Sequence, residues 1–440
     1  MKKLLIIFAV LIPALVSAQR EAYVVNGLAE TLSMIDLETG IVQNHIVTLG
    51  ETPNQVMYHD DYLYVVNSIS ADVMKINVIS RQIEHNFLLP IGSNPYNIAF
   101  SGNYGYVTGW VSGKVYKLDL SSNTIVGEVE IGGFPEGAVV YNGFLYVSQT
   151  YFNPDNYSYG QGKIAKIDIS DFSFISDYNV GKNPQWISVA PDGRLHIVCT
   201  GNYADVEGSI YIFDPASGAV ADSILMGGQP SQLAISPMGV GYLSAGGWSG
   251  SGLIYSYDIF SGDILRGPSN PINAGLGVTA IASDSLGFIY SCNFGDDSVN
   301  RIDLSGQIAN TFALGDGPLS ITIIDDIIIG IEDPGLSLLP ETSYLTGSYP
   351  NPFNGGTMIK MNWGNIESTS GSIDIFDISG RLVKTMNVEI SSGVSTVFWS
   401  GYDNSNKECG SGIYFAKING FEDKIGHIGQ RRALKMTIIR

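Results

Sequence analysis

The sequence predicts an all-β chain: a ring of seven four-stranded antiparallel sheets followed by a small two-sheet sandwich. Three observations carry that expectation. Short runs rich in β-branched and aromatic residues recur between Gly, Asn, Asp and Ser breaks, with no long stretch of helical periodicity. A Tyr-Val-Val-Asn element returns at a nearly constant interval. The interval then stops near Asp333, where a segment of different character begins.

The repeating unit is clearest over residues 50–92. Four apolar-rich runs, at 56–58, 62–67, 72–77 and 81–90, are parted by Asp60-Asp61, by the polar stretch 68–72 and by Ile79-Ser-Arg81. Together they make a four-stranded meander. Such a sheet cannot bury both faces alone, so it needs copies of itself on either side.

The chain starts with a segment outside that pattern. Lys2-Lys3, an apolar run over 4–16 and the small pair Ser17-Ala18 read as a signal peptide over 1–18. The run is shorter than the roughly 20 residues of a spanning helix, so no membrane-spanning segment is expected in the mature chain. Residue 19 is Gln rather than Cys, which argues against an N-terminal lipid anchor.

Loss of Lys2 and Lys3 with the leader takes the formal charge from −19 to −21. A field of that sign repels nucleic acid and anionic lipid, and nucleic acid is excluded as a partner. The three cysteines, Cys199, Cys292 and Cys409, are too few for a disulfide framework and read as small buried hydrophobes.

The copies begin at Tyr23, Tyr64, Tyr106, Tyr146, His196, Tyr242 and Tyr290, at intervals of 41, 42, 40, 50, 46 and 48 residues. A second marker runs about ten residues ahead of the repeating element: Pro53, Pro95, Pro135, Pro184, Pro230, Gly277 in place of a proline, and Pro318. A third is an Asp closing a later strand, at Asp36, Asp119, Asp168, Asp214, Asp258 and Asp303, several leading into Ser/Thr-Gly turns. A recurrent Asp there is a turn former bonding local backbone amides, and no metal site is assigned to it.

A period in the forties with four strands per copy is the signature of a β-propeller. The first copy lacks its leading strand, and the last supplies only Leu319-Ser-Ile-Thr-Ile-Ile324. Residues 319–324 should therefore complete the first sheet and close a ring of seven. Six and eight blades are the alternatives, because 326–331 could add a second strand to the closing blade. The repeats resemble the YVTN family of β-propeller proteins, secreted or surface-borne in bacteria and archaea, over about residues 23–331. That resemblance implies the fold and leaves the function open.

Three consecutive copies lengthen the loop between their second and third strands, at 151–162, 201–208 and 246–252. Tyr, Asn, Trp248 and Gly crowd these loops, as on recognition surfaces. Neutral loop growth on a tolerant scaffold would look the same.

After the linker, five blocks follow in order: Tyr349-Pro-Asn-Pro-Phe-Asn354, Ile373 to Val383, Val397-Phe-Trp-Ser-Gly401, Ser411-Gly-Ile-Tyr-Phe415 and Lys435-Met-Thr-Ile-Ile-Arg440. Their alternating strands and Gly/Asn/Asp turns predict an Ig-like β-sandwich. The blocks resemble the C-terminal sorting domain of type IX secretion substrates and the related Ig-like module of flagellar hook-capping proteins. Gly355-Gly356 and the basic loop 426–432 depart from that pattern. The resemblance implies export and sorting machinery as a partner, and a secreted or outer-membrane cell-surface location reached through the periplasm. The expected domains are the signal peptide 1–18, the propeller 19–332, a linker 333–348 and the Ig-like sorting domain 349–440.

No hydrolase elbow, phosphate loop or metal-binding motif occurs, and no cofactor is assigned. The two residues after each proline marker should ring the mouth of the central channel: Asn54-Gln55, Tyr96-Asn97, Glu136-Gly137, Gln185-Trp186, Ser231-Gln232, Val278-Thr279 and Leu319-Ser320. Amides and aromatics dominate, with Glu136 the single carboxylate, where glycoside hydrolysis usually takes a pair. The expectation is a binding or scaffold module for a neutral glycan or peptide, using Asn54, Gln55, Tyr96, Asn97, Glu136, Gln185, Trp186, Gln232 and the rim residue Trp248. The same amides would also serve to satisfy backbone groups at strand ends. The competing class is an enzyme, a propeller of lactonase-like or lyase-like type.

Overall fold

The computed structural model describes residues 19–246, 250–327, 344–362, 369–377, 381–390, 394–405, 407–419 and 434–440. The expected leader 1–18, Trp248, most of the expected linker and the basic loop 426–432 lie outside the described residues. The chain divides into two compact units, Met1–Gly330 and Ile331–Arg440. Among the described residues, no helix is long and apolar enough to cross a membrane.

Among its described residues the first unit holds seven antiparallel sheets of four or more strands and one two-stranded hairpin. In the second sheet Pro53–His59, Tyr62–Asn67, Asp72–Asn77 and Ile83–Leu88 pair in chain order. The third (Pro95–Ser101 to Thr124–Glu130), fifth (Pro184–Val189 to Ala219–Leu225) and seventh (Val278–Ser283 to Ile308–Ala313) repeat that order. The fourth does so around a small hairpin, Phe152–Asn153 with Ser158–Tyr159, inserted after its second strand. The first sheet is composite: Gln19–Asn26 pairs Thr31–Asp36 on one side and Pro318–Ile327 on the other, with Ala22 opposite Ile323. That is the pairing expected for residues 319–324, and the strand runs on to Ile327 without a break.

The sixth sheet departs from four strands. Its third strand, Ser251–Asp258, pairs first with Ile264–Arg266 and then with Ile272–Leu276. Gly267-Pro-Ser-Asn-Pro271 splits what should be one outer strand. Neither proline has an N–H to give the ladder, so pairing stops and resumes beyond them.

Second strands such as Leu195–Cys199 and Ile289–Asn293 are buried at every position, whereas outer strands such as Ala219–Leu225 are mostly exposed. Both faces of each inner region are covered by neighbouring sheets, which is why the Tyr-Val-Val-Asn runs are continuously apolar. Among the described residues, seven apolar clusters fill the seams between consecutive sheets. One joins the seventh sheet to the first, packing Tyr290, Cys292 and Phe312 against Ala22, Val24 and Ile35. The leading strands touch in cyclic order, from Pro53–His59 round to Pro318–Ile327 and back to Pro53–His59.

Each repeat ends a strand on Asp or Asn that folds back on its own turn. Asp36 Oδ1 accepts from the amides of Glu38 and Thr39, Asp119 from Ser121 and Ser122, and Asp258 from Phe260 and Ser261, all at 2.8–3.0 Å. Asn77 does the same with Ile79 and Ser80. The hydroxyls of Ser121, Ser170, Ser217 and Ser305, helped by turn amides, hold the Asp119, Asp168, Asp214 and Asp303 carboxyls below their ordinary pKa, and the amides of Ser261 and Phe260 do so for Asp258. They are turn formers.

The second unit sets a three-stranded sheet (Tyr344–Tyr349, Thr357–Asn362, Val394–Trp399) and a four-stranded one (Leu382–Ile390, Thr369–Asp377, Gly412–Asn419, Leu434–Ile438) around one core. Ile359, Met361 and Trp399 from the first sheet pack with Ile373, Ile375, Ala416 and Met436 from the second. Cys409 joins that core, and all three cysteines are free and buried. Arg440 is tied down, its Nε donating to Cys409 O at 2.9 Å and an Nη to Gly401 O at 3.1 Å.

Candidate functional site

The leading strands of the sheets position the site. Just after Pro53, Pro95, Pro135 and Pro184 the register slips, and it slips again after Val278. Such a slip turns one residue out of the ladder after Pro53, Pro184 and Val278 and two after Pro95 and Pro135, leaving backbone groups without a strand partner. Neighbouring sheets supply the partners. Asn54 Nδ2 donates to Tyr96 O at 3.2 Å, the Thr108 hydroxyl to Glu136 O at 2.8 Å, and the Thr279 hydroxyl to Pro318 O at 3.0 Å. Ser320 Oγ accepts from Val56 N at 3.0 Å, and Gln232 Oε1 from Ile281 N at 2.8 Å. Between the fourth and fifth sheets the backbones approach directly: a Cβ on Gly137 would stand 2.7 Å from Gln185 O. Only glycine fits there.

Residues near the start of the leading strands meet. Asn54, Gln55, Tyr96, Gln185, Trp186, Ser231, Gln232, Val278, Thr279 and Leu319, from the leading strands of six sheets or the residue just before one, line one cavity of about 110 Å³ with Tyr203 and Gln229. The described lining carries no charged side chain. A larger hollow of about 610 Å³ lies beside Glu207, Leu225 and Pro268 on the outer strands. It is a surface groove beside the split strand, away from the convergence of sheets.

Six of the nine residues expected to form the site are therefore brought together: Asn54, Gln55, Tyr96, Gln185, Trp186 and Gln232. Asn54 and Gln232 also satisfy neighbouring backbone, so the structural role weighed for these amides is real at two of them. Asn97 and Glu136 correct the expectation. Both are buried and neither lines the cavity. Asn97 lies within the third sheet, where its amide N–H donates to the Thr108 hydroxyl at 3.0 Å. Glu136 is covered by Trp110, whose indole N–H donates to Oε1 at 3.1 Å. Trp248 lies outside the described residues.

The lengthened loops supply what the proline spacing could not. Phe152 and Tyr159, on the inserted hairpin, stand 5.3 Å apart by ring centroids, and Tyr159 stands 6.0 Å from Tyr203 in the next sheet's loop. Trp110 packs on Phe134 and Phe152 at 5.0 and 5.6 Å. Tyr203 reaches the cavity itself, its hydroxyl accepting from Gln185 Nε2 at 3.3 Å. Trp110 had a sequence signal. It follows the Tyr-Val-Thr-Gly109 element, where other copies place Gly, Ser, Thr or, once, Phe294.

Electrostatics set Glu136 apart. Burial pushes its carboxyl up to about 8, only partly offset by the Trp110 hydrogen bond, and Oε2 has no partner. Its charge is in turn the main influence raising the Tyr96 phenol, and it raises Tyr159 and Tyr203 as well. By contrast His196 belongs to a seam: Nδ1 lies 2.8 Å from the Tyr257 hydroxyl, and burial lowers its pKa to about 4. Among the described residues, no three His, Cys, Asp or Glu side chains are placed to hold a metal.

Residues 348–427 match the model of the secretion system C-terminal sorting domain. The match implies export and a cell-surface or secreted destination, and contact with secretion machinery. Solved structures of propeller type resemble about two thirds of the chain, 63–71% of its length. A functionally unknown protein from Desulfotomaculum acetoxidans aligns with TM-score 0.57 at 14% identity, over 71% of this chain and 100% of its own. Hydrazine synthase from Kuenenia stuttgartiensis aligns with 0.53 at 16%, over 63% and 96%. A quinoprotein alcohol dehydrogenase-like protein from Bacteroides thetaiotaomicron gives 0.53 at 16%, over 68% and 77%. At these identities the likeness concerns the fold alone. No curated protein is significantly similar to the chain.

Proposed function

We propose that this protein is an exported binding protein. A seven-bladed β-propeller of YVTN type over 19–332 holds a neutral polar ligand, a glycan or a peptide. A signal peptide over 1–18 starts its export, and an Ig-like sorting domain over 349–440, after a linker at 333–348, delivers it by type IX secretion to the outer surface. The cyclic order of the leading strands and the seam between the seventh and first sheets support seven blades. Two sheets sharing one core support the Ig-like reading of the second unit.

One observation carries the binding role: residues on or just before the leading strands of six sheets converge on a single cavity lined by amides and aromatics, without charge. Such groups hydrogen-bond hydroxyls and amides and stack on their apolar faces. A lactonase-like or lyase-like enzyme would instead place an acid, a base or metal ligands in that lining.

The test is a glycan and peptide array probed with the purified mature chain. Trp186→Ala and Gln185→Ala are expected to weaken a retained ligand at least about ten-fold while the melting temperature holds. Undiminished binding by both variants would place the ligand elsewhere. Retention of nothing on the array would sink the binding role.

A further inference from the structure

Beside the cavity, the lengthened loops carry a line of partly exposed rings. It starts at Tyr203, which lines the cavity and is 48% exposed. From there ring centroids step 6.0 Å to Tyr159, 5.3 Å to Phe152 and 6.0 Å to Tyr157, which is 79% exposed. The line is braced. Trp110 and Phe134 pack on Phe152 at 5.6 and 6.0 Å, and Lys182 Nζ donates to Tyr159 O at 3.0 Å. A contiguous row of rings, held in place yet left at the surface, marks an interaction site. The cavity it leads to is small. At about 110 Å³ it falls short of the roughly 300 Å³ of a pocket that encloses a whole small ligand, so it takes only the end of one.

An extended peptide is held chiefly by main-chain hydrogen bonds to a strand edge. At the starts of the leading strands those groups are already engaged. The amides of Val56, Asn97 and Gln232 donate to the hydroxyls of Ser320, Thr108 and Ser244, each at 3.0 Å. The carbonyls of Tyr96, Glu136 and Pro318 accept from Asn54, Thr108 and Thr279. From this geometry we infer that the ligand is a neutral glycan chain, its terminal unit seated in the cavity and the next units stacked along Tyr203, Tyr159, Phe152 and Tyr157. A pyranose has an apolar face of C–H groups that lies on an aromatic ring, and an edge of hydroxyls that side-chain amides hydrogen-bond. The ring steps are close to the length of one sugar unit. The chain's formal charge of −19 turns acidic polymers away. The inference rests on the cavity as a binding site and narrows its ligand from glycan or peptide to glycan.

The tilt of the rings selects the linkage. Along the line, successive ring planes turn by 52°, 50° and 68°. A cello-type chain is a flat ribbon whose sugar planes stay nearly parallel, so it lies on one or two of these rings and leaves the others. Malto- and laminari-type chains turn at every unit and follow the whole line. The glycan is therefore a bent one.

The probes are malto-, laminari- and cello-oligosaccharides of increasing length, titrated into the purified chain by calorimetry. The malto and laminari arms separate the two bent linkages. A bent series should gain about three- to ten-fold in affinity per added unit. The gain should level off at about four units, one for the cavity and one for each ring step from Tyr203 to Tyr157. The cello series should level off sooner. Tyr157→Ser should lower affinity for the longer bent chains about three- to ten-fold and leave the shortest unchanged, and Tyr157→Phe should keep the gain. Tyr157 is exposed, so neither variant is expected to disturb folding. Affinity that ignores chain length yet is lost in Trp186→Ala would overturn the stacked line and leave the cavity reading standing. A cello series that climbs as steeply as the bent ones would overturn the bent chain, and a retained peptide that Trp186→Ala releases would overturn the glycan. No affinity for any of the three series would overturn the inference, and the array alone would then decide the cavity reading.

Discussion

The second and third sheets differ instructively from the fourth and fifth. All four bury their second strand nearly throughout, and one apolar seam joins the second sheet to the third as another joins the fourth to the fifth. In the second and third, that strand leads to the next through only four intervening residues. In the fourth and fifth, the same connection carries an inserted hairpin or a long loop, and with it Phe152, Tyr159 and Tyr203. Buried polar atoms without a partner occur in both pairs, at Asn67 and Ser93 as well as at Glu136 and Gln149. Regular repetition makes the scaffold, and the place where it is interrupted gathers the aromatic rings beside the cavity.

The sharpest way to break this comparison is a seam residue of the regular part. Tyr64 is 1% exposed and packs 5.0 Å from Phe100 across the second seam. Tyr64→Ala should cost about 4 kcal/mol in a urea melt, while ligand affinity of the folded fraction is unchanged. A loss of affinity at equal folding would mean that scaffold and site are not separable.

Next come the two buried titrating groups, with opposite signs. Glu136 has a folded pKa near 8 against 4.5 unfolded, so its contribution to stability falls as pH rises from about 4.5 to 8 and is constant above. Glu136→Gln should remove a loss on the order of 4 kcal/mol between pH 5 and 9, seen as a flatter unfolding midpoint against pH. His196, at about 4 against 6.5, instead costs stability as pH falls through 6.5 towards 4. His196→Gln should flatten the acid side by about 3 kcal/mol or less. Unchanged pH profiles would show that water reaches these groups.

A smaller effect tests what both regions share. Asp119→Ala breaks three local turn bonds and should cost about 1 kcal/mol, as should Asp214→Ala in the lengthened part. Least of all, Tyr157→Ser on the exposed face of the hairpin should shift stability by less than about 0.5 kcal/mol. A large loss there would make the hairpin part of the core.

Much of this was legible in the residues. The Tyr-Val-Val-Asn runs reveal strands covered on both faces, because only such strands can be apolar at consecutive positions. The proline markers located the bulges, and through them Asn54, Tyr96, Gln185 and Trp186 at the cavity. Asn97 and Glu136 were misplaced because an offset within one repeat cannot register what another repeat lays over it. Trp110 covers Glu136 from the preceding sheet. Tyr159 and Tyr203 escaped for a related reason: their loops have no period, and only folding brings them beside Gln185 and Glu136. The split outer strand of the sixth sheet departs from the expected four strands, and its cause lies in Pro268 and Pro271.

The pairing of Gln19–Asn26 with Pro318–Ile327 has a consequence for the order of events in the cell. Partners such as Glu21 and Ile324 are about 300 positions apart, so the earliest-made strand of this unit waits for the latest. Until the chain through Phe312 has been made, Ala22, Val24 and Ile35 lack the cover of Tyr290 and Phe312. An incomplete chain therefore keeps a sticky flank, which makes it prone to aggregate. Resistance to proteases should arrive in one step, once residue 327 is in place, rather than growing sheet by sheet.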